Sequence, residues 1–423
     1  MTSAKKNRIK PAEQNSHSVL KPLLILSALL VVTEVFTIFL TTEVFHTFID
    51  RWAYKVYIET VVVPFLQSGS LPYIDYMWEY PVLMLVPVII SAIPMVMTDS
   101  VMAFTYTFPV LMTICSIITV ICIYFITLKV YNNTTRAFVA GFLYVTSVNI
   151  AYVNLTGFDP MPTMFIMIGL ACTFYAREST GYLAYILGFF TKIFPASVFP
   201  FLVIFNAKAT SIKDEIIHAA VVFSLPFFLL FVPIFVLKPS SISTYMISNA
   251  AGKEAFVASF VYTVYAWIHD VIRIPLSISI MSLLMSILLV GTIGFLMYVS
   301  YKAKEQDPLL LLSVTLIALV AVVALSKYHS PQYTIWFTPI LCILIAGNVL
   351  NMAVYYVLQF LWYLKFPVLF YTIYTNNSYA EAIPAAKGYM ALIFFTVEYI
   401  ILFWLVWKVT GQKMRGVIHD ITM

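Results

Sequence analysis

Residues 308–326 read PLLLLSVTLIALVAVVALS, nineteen positions without one charged side chain. That length is close to the ~20 apolar residues an α-helix needs to cross the hydrocarbon core of a bilayer. The run is not alone. Similar apolar helical runs recur at about 22–45, 102–129, 136–155, 160–176, 181–206, 215–237, 275–301, 331–349, 351–374 and 387–408. Of the 423 residues, 62% are hydrophobic and 10% are charged, whereas about a quarter of a soluble domain is charged. A soluble protein with a very large core does not explain runs of this length. In lipid the backbone must satisfy its own polar groups, and helices do so within each segment. The expectation is an all-α, polytopic transmembrane bundle of about 12 helices. No hydrophilic stretch is long enough for a separate soluble domain, so residues 1–423 read as one membrane-embedded unit.

The first apolar run, about 23–40, exceeds the apolar region of a secretory signal, and no small-residue cleavage site follows it. Lys5, Lys6, Arg8, Lys10 and Lys21 precede it and are expected to hold a tail, 1–21, in the cytoplasm. The cysteines, Cys115, Cys122, Cys172 and Cys342, all fall in apolar runs. None has metal-ligand spacing, so neither a zinc site nor a disulfide framework is expected.

Two stretches resist assignment as simple spans. Residues 81–97 contain Pro81, Pro87 and Pro94, and 181–206 is broken by Lys192, Pro195 and Pro200. Charge sidedness favours one arrangement. If 81–97 stays outside and 181–206 crosses twice, Lys129, Arg136, Arg177, Lys208, Lys213, Lys302 and Lys304 are inside. So is the tail 409–423, and cations then favour the inside roughly two to one. Both termini are then cytoplasmic. Two long loops, 46–97 and 238–274, face outward, and the first carries short interfacial helices.

Several polar residues stand out against this background. Asp50 stands where the first helix leaves the membrane. It reads either as a solvated boundary carboxylate or as a rigidly held general base. Glu79 shares the first loop, flanked by aromatics that suit a sugar or an isoprenoid chain. Asp159 lies in LTGFDP, where Gly157 and Pro160 give a sufficient reason for a turn; a substrate-positioning role is the alternative. Lys192, among apolar neighbours, either snorkels or meets an anion such as a lipid-linked phosphate. Lys327, His329, Gln332 and Tyr333 cluster in SKYHSPQYTIWFTP. Lysine binds phosphate as a point charge, histidine can donate to phosphate or shuttle a proton, and Gln332 and Tyr333 can bond hydroxyls. Tyr333 and Trp336 begin the next run at the interface, where aromatics are favoured. Glu34, Lys365 and Glu398 lie within apolar runs and are expected to pair inside the bundle. No metal signature or Gly-rich phosphate loop is present, and no pair of interrupted halves marks a transporter.

Three of these stretches together resemble the GT-C superfamily of integral-membrane glycosyltransferases, in its polyprenyl-phosphate-mannose-dependent, mannosyltransferase-like branch. The first loop, from Asp50 through GSLPYIDYMWEYP, is similar to that branch's Asp…Gly-x-x-Pro-Tyr-x-Asp-Tyr-x-x-Glu-Tyr-Pro-Pro pattern. It departs from the pattern at its end, where Val82 replaces the second proline. KIFPASVFP, beginning at Lys192, resembles the Lys-x-x-Pro-x-x-x-x-Pro element. KYHSPQYTIWFTP, beginning at Lys327, resembles the Lys-x-x-Ser-Pro-Gln-Tyr-x-x-Trp-x-x-Pro element.

The resemblance implies an inverting, metal-independent transferase with no cofactor. Its donor is a hexose, mannose at the family level, on dolichyl or another polyprenyl phosphate, and its acceptor is a glycan or glycolipid. Chemistry occurs at the outer or luminal face of a prokaryotic plasma membrane or of the endoplasmic reticulum. Nucleic acid plays no part; membrane lipids surround the enzyme. By position, the resemblance makes Asp50 the catalytic base and His329 its rival. It places Lys192, Lys327 and His329 on the donor phosphate, and Glu79, Tyr80, Gln332 and Tyr333 along the cavity. Asp159 occupies a turn that is acidic in some relatives, and its role stays open. Two other classes remain: a transporter or flippase of lipid-linked sugars, built on Glu34, Lys365 or Glu398, and a non-catalytic membrane subunit.

Overall fold

The computed structural model describes residues 16–240, 259–326, 330–369 and 385–422. Every regular element among them is helical; a lone bridge between Pro72 and Tyr76 is the nearest approach to a strand. In chain order, α1 (Ser16–Phe39) continues through a wider π-type turn to Val44. The first loop folds as α2 (Trp52–Tyr57) and α3 (Val63–Ser68), joined by a π-type turn. Then come α4 (Leu85–Thr98), α5 (Val101–Tyr131), α6 (Thr134–Val145) and α7 (Val148–Thr156). They are followed by α8 (Pro160–Phe174), α9 (Glu178–Thr191), α10 (Phe199–Ala207), α11 (Ile212–Leu230) and α12 (Val232–Leu237). The remainder comprises α13 (Phe260–Ala266), α14 (Ile278–Lys302), α15 (Pro308–Leu325), α16 (Thr338–Ile345), α17 (Val349–Tyr363) and α18 (Ala385–Thr422).

Local chemistry sets many of these boundaries. Helix starts leave backbone N–H groups without partners, and short polar side chains satisfy them. Asn133 accepts from the N–H of Arg136 at 2.8 Å to start α6. Asp307 accepts from Leu309 and Leu310 at 2.9 and 3.2 Å, with Pro308 as the first residue of α15. Ser147 starts α7, and the chain bends by 56° between α6 and α7.

The charge-free run that begins at Pro308 becomes α15, the most enclosed span: 78% of its apolar window is buried, against 11% for α14. Both are strongly apolar, so α14 presents its side chains outward, where lipid is their natural solvent. Tyrosines fill much of the interior. Tyr124, Tyr144, Tyr182, Tyr185 and Tyr355 are all fully buried.

The helix count differs from the expected 12. Among the described residues five helices are long and apolar enough to cross a membrane, or six when the bent α6–α7 pair counts as one span. The difference has a physical reason. Runs that look continuous in hydropathy are cut into short helices at prolines and polar breaks. Residues 181–206 divide at Lys192, as expected, but the halves α9 and α10 have 14 and 9 residues, short of the ~20 a crossing needs. Residues 331–349 divide likewise into a 3₁₀ turn, Pro331–Trp336, and the 8-residue α16. The coarser expectation stands: an all-α bundle with several helices able to cross a membrane, as in an integral membrane protein.

Within the bundle, α8 and α9 form a helical hairpin whose two helices approach closely at glycines. A side-chain carbon on Gly169 would lie 2.1 Å from the Tyr185 ring, and one on Gly181 would lie 2.9 Å from Thr173 Oγ1. Small residues are what allow backbones to pack this tightly in a membrane bundle.

Candidate functional site

The hairpin brings the start of α8 beside the end of α9. Asp159 immediately precedes α8 and Lys192 immediately follows α9. A carboxylate at a helix N-terminus and an ammonium at a C-terminus each sit at the favourable end of a helix dipole. Lys192 Nζ donates to Asp159 Oδ1 at 2.6 Å. Asp159 is fully buried, while 15% of the Lys192 side chain is exposed. Asp159 therefore does more than make a turn: its side chain caps no N–H of α8. Its second acceptor bond comes from another segment, where the Trp336 indole N–H donates to Oδ1 at 2.5 Å. Asp159 Oδ2 is buried and has no hydrogen-bond partner.

Aromatic rings enclose the ammonium. Lys192 Nζ lies 4.3 Å from the Tyr333 ring centre, 4.6 Å from Phe158 and 4.9 Å from Trp336, all within the ~6 Å range of cation–π attraction. Trp336 is itself clamped, parallel to Phe194 at 3.7 Å and stacked on Tyr333 at 4.0 Å. Lys192 has extended backbone, φ −162° and ψ 145°, so its side chain leaves the helical row and enters this box. Pro195 and Pro200, at or near the starts of the next 3₁₀ turn and of α10, keep the chain from running on as one helix.

Gln332 borders the same place. A side-chain carbon on Gly157 would lie 3.7 Å from Asp159 Oδ2 and 3.8 Å from Gln332 Cδ. Gln332 Oε1 accepts from Ser330 Oγ at 2.7 Å. Tyr80 reaches in from the first loop, edge-on to Phe158 at 5.2 Å and to Tyr57 at 5.7 Å. Its carbonyl accepts from the Tyr73 hydroxyl. Burial, and the nearby Tyr80 and Asp159, push the Tyr57 hydroxyl well above its ordinary pKa, so it stays protonated.

Asp50 is tied to α7 through Tyr152. Its backbone N–H donates to Tyr152 Oη at 3.1 Å, and its carboxylate accepts from the Trp52 N–H at 2.9 Å. Two residues beyond Trp52, Tyr54 Oη donates to the Leu155 carbonyl at 2.5 Å, which fixes the loop to the end of α7. Burial raises the Asp50 pKa above the ordinary carboxylate value, and the Trp52 bond only partly offsets this. Glu79 is exposed and lines a separate cavity in the first loop. Lys327 and His329 lie outside the described residues.

Thus Asp159, Lys192 and Tyr333 form one cluster, Gln332 and Tyr80 border it, and Asp50 and Glu79 stand apart from it. Sequence reading missed Phe158, Phe194 and the role of Trp336. Trp336 reads as an interfacial aromatic, yet it is 4% exposed. A buried indole N–H needs an acceptor, and Asp159 supplies one. Among the described residues no group of three or more His, Cys, Asp or Glu is placed to hold a metal ion. No protein-family model and no curated protein matches this chain.

The buried charges inside the bundle pair only in part as expected. Lys365 Nζ meets Glu398 Oε1 at 2.5 Å, with side chains 0% and 1% exposed. Glu34 instead accepts from Thr113 Oγ1 at 2.9 Å and Asn154 Nδ2 at 2.8 Å, and no ion pair to it is present among the described residues. Ser116 donates in turn to Asn154 Oδ1 at 2.7 Å.

Proposed function

We propose that the protein is a membrane-embedded glycosyltransferase. It moves a hexose, with mannose the family-level assignment, from a polyprenyl (dolichyl) phosphate to a glycan or glycolipid at the outer or luminal face. One observation carries this reading. Three stretches of the chain, around Asp159, Lys192 and Gln332–Trp336, meet in one aromatic-walled box around the ammonium of the partly exposed Lys192 side chain.

The physical chemistry supports the roles. A sugar–phosphate bond is already activated, so its cleavage asks chiefly for stabilisation of charge on the leaving phosphate. A preorganised cation in a water-poor site supplies that. Lys192 fits the task because Asp159 and three rings hold it before any ligand arrives. The acceptor hydroxyl attacks the anomeric carbon from the face opposite the phosphate. The carbon–oxygen bond breaks with its electron pair leaving on the phosphate, and configuration inverts. Asp50 takes the acceptor proton. The polyprenyl tail stays in lipid, which explains why no soluble donor domain is needed. Lys327 and His329 are further candidates for the phosphate, with His329 the rival base. The transporter reading rests on Glu34 in its buried network. It requires Glu34 to be essential and no covalent transfer to occur.

The test is incubation of membranes containing the protein with defined polyprenyl-phosphate sugars, followed by mass analysis of the product. A hexose added to the acceptor is expected, and Asp50→Asn should reduce it by about 10²–10⁴-fold with folded protein unchanged. The pH profile gives a second readout. The active base is the carboxylate, and burial raises its pKa. Activity therefore falls as pH drops through a value above the ordinary carboxylate range, and Asp50→Asn removes that acid limb. Full turnover in Asp50→Asn would remove Asp50 from the mechanism.

A further inference from the structure

The first loop forms an open cavity of about 280 Å³ between α2–α3 and the segment after them. Val56, Thr60 and Pro64 form one side; Tyr76, Trp78 and Glu79 form the other. The volume is close to the lower end of the ~300–1,000 Å³ range of small-ligand pockets.

Two polar groups of these lining residues are unsatisfied. The Trp78 indole N–H and the Tyr76 hydroxyl are buried and have no hydrogen-bond partner. Trp78 is only 3% exposed. Native structures pair nearly all such groups, so two on one cavity wall call for an explanation. Trp78 is firmly placed. The Trp78 ring packs against Tyr73 at 6.2 Å and Tyr80 at 5.3 Å. The indole N–H only donates, and the hydroxyl both donates and accepts. Glu79, exposed on this wall, is acceptor-only as a carboxylate, and that charge repels anions.

A matching occupant must therefore bring acceptor oxygens for Trp78, a hydroxyl for Tyr76, an apolar face for Val56 and Pro64, and no negative charge beside Glu79. A polyhydroxylated ring meets all four demands in one body. We infer that this cavity is a binding site for a neutral pyranose. Tyr80 joins it to the Lys192 box, since its ring meets both Trp78 and Phe158. On the glycosyltransferase reading, which the assigned role rests on, the ring bound here is part of the acceptor. Binding itself does not depend on that reading.

The test is equilibrium binding of methyl α-mannopyranoside, methyl α-glucopyranoside and methyl glucuronide to the purified full chain in nanodiscs. Saturable binding of at least one neutral glycoside is expected, with the glucuronide weaker. Trp78→Phe keeps the ring, removes the N–H, and should weaken the neutral glycoside roughly five- to tenfold. Glu79→Gln changes an exposed side chain, so the protein stays folded, and it should narrow the gap between glucuronide and neutral glycoside. No saturable binding, equal binding of the glucuronide, or binding indifferent to both variants overturns the site. The two readings separate cleanly. Variant-sensitive binding without sugar transfer sinks the enzyme reading and keeps the subsite. Sugar transfer with variant-indifferent binding does the reverse.

Discussion

Two buried lysine–carboxylate pairs can be set side by side. In each the partners are 33 residues apart, and in each the second carboxylate oxygen lacks a partner. Their surroundings differ. Lys365 lies in the π-type turn after α17, Glu398 lies inside α18, and both are sealed. Lys192 sits on extended backbone at a break between helices, and part of its side chain reaches the surface. The first pair joins two helices. The second leaves its ammonium-bearing side chain partly exposed. Burial of a charge pair is thus not in itself a sign of function; access distinguishes the two, since Lys365 also lies on irregular backbone, with the Phe395 and Tyr399 rings 5.6 and 5.7 Å from its ammonium.

Substitutions can break this contrast. Lys365→Met leaves Glu398 as an unpaired buried carboxylate and should cost about 3–5 kcal/mol of stability. The thermal midpoint of the purified protein measures this. Lys365→Met combined with Glu398→Met should recover most of the loss, because removing both charges also removes their desolvation cost. Sugar transfer per folded molecule should be unchanged. Lys192→Met also strips a fully buried carboxylate, Asp159, of its cation and should lower the midpoint too. Unlike Lys365→Met, it should also cut transfer per folded molecule by about 10²–10³-fold.

Two smaller effects sharpen the picture. Gly169→Ala forces a carbon against the Tyr185 ring and should cost about 1–3 kcal/mol by overpacking the α8–α9 hairpin. Because that hairpin aligns Asp159 with Lys192, transfer should fall together with the thermal midpoint. Trp336→Leu removes one cation–π face, about 0.5–2 kcal/mol, together with the indole N–H bond to Asp159. Steady-state kinetics should show this mainly as a raised KM for the donor.

The sequence made some of this legible. Charge-free runs announced a membrane bundle, and Lys192 with Pro195 and Pro200 announced the break between α9 and α10. Hydropathy did not show where helices end, because a proline or a polar turn interrupts a helix without lowering the average. Hence the expected count exceeded the five or six candidate spans. The site was half legible for a related reason. Asp159 and Lys192 each stood out as a charge among apolar neighbours, but which of them meet depends on the α8–α9 hairpin and its glycines. Glu34 shows the same limit: its partners, Thr113 and Asn154, are ordinary polar residues in other helices. Phe158, Phe194 and Trp336 could not be told from the many aromatics that simply fill space.

The central claim is that Lys192, and not the sealed Lys365, receives the phosphate of a polyprenyl lipid. Native mass spectrometry of the purified chain with a polyprenyl monophosphate measures this directly. Wild type and the Lys365→Met/Glu398→Met variant should retain the bound lipid, and Lys192→Met should lose it. Equal retention by all three would contradict the account.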